Sequence, residues 1–310
     1  MELGIVGLGK MGSNLALNAI DNKIAVVGKD ISPRPELTEK GIKVVFDLKT
    51  FAESLKCPRV IYLSLPAGPV IDKVLDELVP HLDCGDVVMD GGNSFFRDSV
   101  RREKELCEKE ILFLDCGTSG GIKGARKDAC FMVGGKREGF SIAEPILEKL
   151  AVKGGLVYTG EPGSGHFVKL VHNGIEFGML QAIGEGFSLL EESEYNLNLV
   201  EIFKNWSHGS IIRGLLVELM EKGLREENLS EIPSYVEDTG EVNWLIHEAI
   251  EMEVPIPVIT RSIIELFRSR EKENTSEKAV ALMRHGFGGH PFGKDEYIKN
   301  ERKTSRIYKI

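Results

Sequence analysis

The chain lacks a basic excess. Its 39 Lys and Arg are outweighed by 48 Asp and Glu, for a formal net charge of −9. General nucleic-acid binding needs a basic face that displaces counterions, so this balance argues against it. It leaves room for a local basic pocket that takes an anionic substrate. Cysteine is scarce, at five residues: Cys57, Cys84, Cys107, Cys116 and Cys130. The count is odd and no pair has Cys-x-x-Cys spacing, which argues against a disulfide framework and a zinc site. Free thiols of a reducing cytoplasm are the expectation. No apolar run approaches the ~20 residues of a membrane span. The first strand-like run, Leu3-Gly4-Ile5-Val6, comes without a basic and apolar leader, so no signal peptide and no membrane partner are expected. The sequon Asn228-Leu229-Ser230 is then expected to stay unglycosylated. Internal repeats and low-complexity tracts are also missing.

What remains is an ordinary globular composition, 42% hydrophobic and 28% charged over 310 residues, long enough for two domains with a sizeable core. In the first half, short apolar runs alternate with helical patterns. Strand candidates are Leu3–Val6, Ile24–Val27, Val44–Val45, Val60–Ser64, Val87–Asp90, Leu112–Asp115, Ala129–Val133 and Leu156–Tyr158. Helices are expected between them, as at Met11–Ile20, Pro69–Pro80 and Phe96–Lys109. Such alternation implies a mainly parallel sheet with helices on both faces. The stretch Gly160-Glu161-Pro162-Gly163-Ser164-Gly165 reads as a domain junction. Beyond it the periodicity is helical: Phe167–Glu192, Leu199–Ser207, Ile211–Lys222, Val242–Glu251, Val258–Arg270 and Ser276–Met283. The polar, basic tail from Lys294 to Ile310 reads as a flexible or intersubunit arm. The expected fold class is an α/β N-terminal Rossmann-like doubly wound sheet (1–162) followed by an all-α C-terminal domain with a tail (163–310).

Gly7-Leu8-Gly9-Lys10-Met11-Gly12 follows the first strand and opens a helix. In that context Gly7 allows a tight turn, Gly9 lets the backbone approach a pyrophosphate, and Gly12 allows close helix–sheet packing. The helix N-terminus then faces the negative charge. Asp30 ends the second strand, where a carboxylate accepts hydrogen bonds from an adenine ribose and repels a 2′-phosphate. That favours NAD, while Arg34 nearby keeps NADP open. Two further loops fall at strand C-termini, where open α/β sheets bind ligands: Leu65-Pro66-Ala67-Gly68-Pro69 and Asp90-Gly91-Gly92-Asn93-Ser94. Asn93 can both donate and accept, between cofactor and substrate.

Lys169, His172, Asn173 and Glu176 are spaced i, i+3, i+4 and i+7, which puts all four side chains on one helix face. An amine, an imidazole, an amide and a carboxylate make a poor core surface and a good catalytic one. A Lys can take the proton of a hydroxyl whose carbon loses hydride, provided burial lowers its pKa. The apolar neighbours Phe167, Val168, Leu170, Val171 and Ile175 favour that burial. His172 and Asn173 can hold substrate hydroxyls. Glu176 lies about 10 Å further along the axis, so acid and base face different carbons of an extended substrate. No second ligand stands at a zinc spacing from His172, and no metal is expected.

These segments, with Thr118-Ser119-Gly120-Gly121-Ile122-Lys123-Gly124-Ala125-Arg126 and Gly165-His166-Phe167-Val168-Lys169-Leu170-Val171-His172-Asn173-Gly174-Ile175-Glu176, resemble the decarboxylating 6-phosphogluconate dehydrogenases, within the β-hydroxyacid dehydrogenase superfamily. The resemblance covers nearly the whole chain. It implies oxidative decarboxylation of a phosphorylated sugar acid, 6-phosphogluconate, to ribulose 5-phosphate and carbon dioxide. Lys169 would be the general base and Glu176 the general acid. Asn93, Ser119, Gly120, Gly121, His172 and Asn173 would hold substrate. Gly7, Leu8, Gly9, Met11, Gly12, Asp30, Leu65, Pro66, Ala67 and Asn93 would hold the cofactor, NAD or NADP. The segment Arg284-His285-Gly286-Phe287-Gly288-Gly289-His290 is similar to the family's tail, so that Arg284 and His290 would reach the substrate phosphate of a neighbouring subunit. A homodimer or homotetramer with tail exchange is implied.

The chain departs from the long form of the family. It is shorter, like the bacterial and archaeal type. The tyrosine after the catalytic Glu is Phe177. The phosphate-binding Lys is replaced near Asp238-Thr239-Gly240, and the helical Arg falls near Leu266, with Arg268 and Arg270 close by. Two other readings stay open at this point. One is an NAD-dependent dehydrogenase of an unphosphorylated 3-hydroxy acid that does not decarboxylate. The other is a catalytically idle nucleotide sensor.

Overall fold

Eight runs rich in Val, Ile and Leu pair edge to edge into one sheet in this computed structural model, which describes residues 1–288 and 291–293. The strands are β1 (Glu2–Val6), β2 (Ala25–Lys29), β3 (Lys43–Val45), β4 (Val60–Leu63), β5 (Val87–Asp90), β6 (Leu112–Ser119), β7 (Ala129–Gly135) and β8 (Ala151–Gly160). Their order across the sheet is β3-β2-β1-β4-β5-β6-β7-β8. Every neighbouring pair is parallel except β6 with β7. Helices α1 (Lys10–Asp21), α2 (Pro35–Thr38), α3 (Leu48–Glu53), α4 (Pro69–Leu78), α5 (Phe96–Cys107), α6 (Gly121–Lys127) and α7 (Arg137–Leu150) connect them.

The strand residues alternate between two cores, as a period of two demands. Val60, Tyr62, Val87 and Met89 join one apolar cluster with α1 and α7. Ile61, Leu63 and Val88 join the other with Phe51, Leu75 and Leu106 of α3, α4 and α5. Helices therefore cover both faces, as the sequence pattern implies.

β6 runs four residues past its expected end at Asp115. Cys116 to Ser119 pair antiparallel with Cys130 to Val133, and this ladder supplies the hydrogen bonds that Gly, Thr and Ser do not request through propensity. The extension carries Ser119 to the strand terminus.

The expected junction at 162/163 falls in the turn between β8 and α8 (Ser164–Glu191). The remaining helices are α9 (Leu199–Gly209), α10 (Leu215–Glu226), α11 (Glu241–Glu251), α12 (Pro257–Arg270) and α13 (Thr275–Gly288). α10 starts four residues later than the periodicity suggests, because Gly214 adopts φ +155° and interrupts the run from Ile211.

Two compact units divide the chain. The first joins residues 1–227 and 238–263, and the second joins residues 228–237 with the described residues from 264 onward. The first unit extends past the sheet because α8 packs on β6, β7 and β8. In the second, Arg270 Nε donates to the Val236 carbonyl at 2.6 Å and the Val236 N–H donates to Ser269 Oγ at 3.2 Å. Among the described residues, no helix is long and apolar enough to cross a membrane.

Candidate active site

Two aspartates at the same sheet register organise the site. Asp90 ends β5, and its parallel partner in β6 is Asp115. Both are buried. Asp115 accepts the N–H groups of Gly163 at 2.7 Å and His166 at 2.8 Å. A carboxylate from the sheet thus caps α8 and offsets its dipole, where no local side chain does so. This is why α8 begins at Ser164, ahead of the apolar periodicity. A Cβ on Gly165 would stand 2.5 Å from the carbonyls of Asp115 and Met132, so only glycine lets the helix enter this close to β6 and β7. One turn on, a Cβ on Gly117 would stand 2.6 Å from Lys169 Cβ. Lys169 lies directly on the backbone of β6.

The expected stripe forms. Lys169 Nζ is 3.3 Å from His172 Nδ1, and Glu176 Oε2 is 3.7 Å from the same nitrogen. On its other side, His172 Nε2 is 3.2 Å from Ser119 Oγ. Asn173 Nδ2 donates to Asn93 Oδ1 at 3.1 Å, joining the stripe to the loop after β5. When Lys169 donates to Nδ1, neutral His172 carries its proton on Nε2 and donates it to Ser119. Gly120 and Gly121 follow Ser119 with φ +107° and +61°, two successive left-handed residues that exclude side chains.

Burial pushes the Lys169 amine below its ordinary range, against the opposing pull of Glu176, Cys130 and Glu241. Burial, and then the Lys169 charge, push His172 down too, while Asn173 and Glu176 act in the other direction. The stripe thus holds an amine and an imidazole that both resist protonation.

Across the first unit, a Cβ on Gly12 would stand 2.0 Å from the Gly7 carbonyl, and Gly7 takes φ +92°. Nothing within 4 Å would meet a Cβ on Gly9, and no side chain caps the helix that starts after it. The first N–H groups of α1 therefore face outward without a side-chain acceptor, a cradle suited to a pyrophosphate. Asp30 accepts the Leu8 N–H at 2.8 Å and the Ser32 N–H at 2.9 Å, and Arg34 Nη2 at 3.4 Å. Burial works to raise the Asp30 carboxyl, but these hydrogen bonds and the Arg34 charge hold it below its usual value. Arg34 is thereby engaged by Asp30 itself. Met11 lies in the first turn of α1, and Leu65, Pro66 and Ala67 follow β4.

The substrate-side residues Asn93, Ser119, His172 and Asn173 meet around Lys169 and Glu176. Arg284 is an exposed residue of α13, in the second unit. His290 and the tail from Lys294 lie outside the described residues. Leu266 is buried, and Arg268 donates to Glu277 at 3.2 Å. Among the described residues, no group of three or more His, Cys, Asp or Glu could hold a metal ion.

Sequence reasoning missed the supports. Asp115 is one. Another is His166, buried, with Nδ1 2.7 Å from Ser99 Oγ. A third is Arg97, which grips buried Glu248 with Nε at 3.0 Å and Nη2 at 2.8 Å. The detectable signal was the pair of apolar runs Val87-Val88-Met89-Asp90 and Leu112-Phe113-Leu114-Asp115, each ending in an aspartate.

Comparison with known proteins adds family context. Residues 2–160 match the family model of the NAD binding domain of 6-phosphogluconate dehydrogenase. Residues 165–304 match that of the 6-phosphogluconate dehydrogenase C-terminal domain. An NAD(+)-dependent, decarboxylating 6-phosphogluconate dehydrogenase of Haloferax volcanii is 39% identical over 96% of this chain and 100% of its own. An NADP(+)-dependent, decarboxylating one of Bacillus subtilis is 33% identical over 100% of this chain and 70% of its own. The solved structure of Plasmodium falciparum 6-phosphogluconate dehydrogenase superposes with a TM-score of 0.80 at 28% identity, over 95% of this chain and 66% of that one.

Proposed function

The chain belongs to the 6-phosphogluconate dehydrogenase family, and from that premise we propose that it oxidatively decarboxylates 6-phosphogluconate to ribulose 5-phosphate and carbon dioxide with NAD or NADP. The observation that carries this reading is the half-buried Lys169, 3.3 Å from His172, with Glu176 two turns along on the same stripe. The family names do not favour the non-decarboxylating alternative.

The glycine turn fits a dinucleotide: Gly9 leaves open space and α1 presents uncapped N–H groups. Gly7, Leu8, Gly9, Met11 and Gly12 would hold the pyrophosphate end, Asp30 the adenine ribose, and Leu65, Pro66, Ala67 and Asn93 the nicotinamide end. When bound there, NAD or NADP would supply the acceptor for the hydride that leaves C3 of the substrate. Lys169, whose neutral form burial favours, removes the C3 hydroxyl proton as the C3–H bond breaks. The resulting 3-keto acid loses its carboxylate as carbon dioxide, leaving an enediol. Lys169, now protonated, gives its proton to the C3 oxygen as the carboxylate leaves. Glu176, at the far end of the stripe and in its acid form for this step, gives a proton to C1 while Lys169 takes the enediol hydroxyl proton back, which completes ribulose 5-phosphate. His172 and Asn173 hold hydroxyls, and the Ser119-Gly120-Gly121 turn presents backbone N–H groups to the substrate carboxylate.

The Asp30–Arg34 pair supports a preference for NAD, since a 2′-phosphate would meet a carboxylate already fixed in place. By the family pattern, Arg284 and His290 grip the substrate phosphate of a neighbouring subunit, so that the active form is a homo-oligomer. Purified protein given 6-phosphogluconate with NAD or NADP tests the reading. Equal amounts of reduced cofactor and carbon dioxide are expected, with NAD preferred. Reduction without carbon dioxide, or only with an unphosphorylated acid, would overturn it.

A further inference from the structure

Arg102 of α5 is completely buried, yet the chemistry above does not use it. A buried guanidinium is tolerated only when its N–H groups find partners. Arg102 finds them in two different loops. Nε donates to Asp72 Oδ1 at 2.8 Å, and Nη2 donates to Asp72 Oδ2 at 3.2 Å and to the Gly68 carbonyl at 3.1 Å. Gly68 closes the loop after β4, and Asp72 sits in the first turn of α4. Nη1 donates to Asp90 Oδ2 at 3.2 Å. The Asp90 carboxylate also accepts the Gly92 N–H at 3.0 Å and the Ser94 hydroxyl at 2.8 Å, which shapes the loop that carries Asn93.

The two loops also touch. A Cβ on Gly92 would stand 2.9 Å from the Leu65 carbonyl. Beyond the β4–β5 ladder, which ends with the Gly91 N–H donating to the Leu63 carbonyl at 3.0 Å, their relative placement rests on one close approach of backbone to backbone and one shared cation. The hydrogen bond from Arg102 outweighs burial and holds the Asp72 carboxyl below its usual value.

We propose that Arg102 is a positioning residue that locks the Leu65–Gly68 loop to the Asn93 loop, so that one side chain sets the geometry of both the nicotinamide and the substrate subsites. The names of the two ligands rest on the function proposed above; the mechanical coupling of the loops does not. Only a planar fork can reach Asp72, Gly68 and Asp90 together, and a lysine ammonium at the same place is a point donor that must release one side.

The test compares Arg102→Lys and Asp72→Asn with wild type by hydrogen exchange and by kinetics. In Arg102→Lys, amides 65–72 and 90–94 should both exchange faster, and KM for NAD and for 6-phosphogluconate should both rise by about 10-fold or more. Asp72→Asn should loosen only 65–72 and raise only the cofactor KM. A purely structural role would lower the melting temperature and the yield of active enzyme while leaving both KM values and both loops unchanged; that result overturns the proposal. So does loosening of a single loop in Arg102→Lys. If Arg102→Lys does not fold, Asp72→Asn decides: selective loosening of 65–72 supports the lock, and unchanged exchange refutes it. Wild-type protein that fails to turn over 6-phosphogluconate would refute the functional reading, while hydrogen exchange would still judge Arg102.

Discussion

Lys169 Nζ and His172 Nδ1 lie 3.3 Å apart on adjacent turns of α8. The Lys169 charge disfavours protonation of His172, and burial pushes both groups in the same direction. The burial of this pair is a device that favours the neutral amine, the form that a general base for a hydroxyl proton requires.

Glu176 opposes that device, because its negative charge raises the Lys169 pKa. Glu176→Gln should therefore lower the Lys169 pKa further. The acid limb of the pH profile, where Lys169 gains its proton and activity falls, should move to lower pH. The plateau rate should also drop by about 10²- to 10⁴-fold through loss of the acid. A profile of kcat/KM against pH checks both, and an acid limb that moves upward would mean that the Glu176 charge does not act on Lys169.

Lys169→Met should cut turnover by about 10²-fold or more with little change in cofactor affinity, since the base acts in the transition state. Fluorescence titration with reduced cofactor, beside the turnover assay, separates the two. Turnover at the wild-type rate would show that another group takes the proton.

Asp30→Ala removes the acceptor of the Leu8 and Ser32 N–H groups and frees Arg34. NAD should bind more weakly, and the ratio of kcat/KM for NAD to that for NADP should fall. An unchanged ratio would take Asp30 out of cofactor selection.

Asp115→Ala deprives α8 of its cap. The loss of stability should be about 1–2 kcal/mol, at the upper end for helix caps because the carboxylate is buried and accepts two N–H groups. Denaturant unfolding measures it, and kcat should fall with it, since the first turns of α8 set Lys169. A variant as stable as wild type would mean that α8 is held by its packing alone.

Much of this was readable from local pattern. The glycine turn, the eight apolar runs and the one-face spacing of Lys169, His172, Asn173 and Glu176 are properties of short segments, and short segments carry their own periodicity. The supports were not readable. The Asp115 cap spans 48 positions to Gly163 and Arg102 spans 34 to Gly68, distances over which no periodicity survives. The β6 extension through Gly117 and Ser119 was hidden for a related reason: its hydrogen bonds come from β7 and not from strand propensity.

By itself, then, the sequence determined the α/β alternation followed by helices, the nucleotide-type turn and the membership of the stripe from Lys169 to Glu176, because each depends on neighbours within a few turns of chain. Tertiary structure decided how far Lys169 is desolvated, which nitrogen of His172 faces Ser119, and how the loops carrying Leu65 and Asn93 are held together. Those properties depend on which distant strands and helices come within hydrogen-bonding reach, and only the folded packing of the sheet against α5 and α8 sets that.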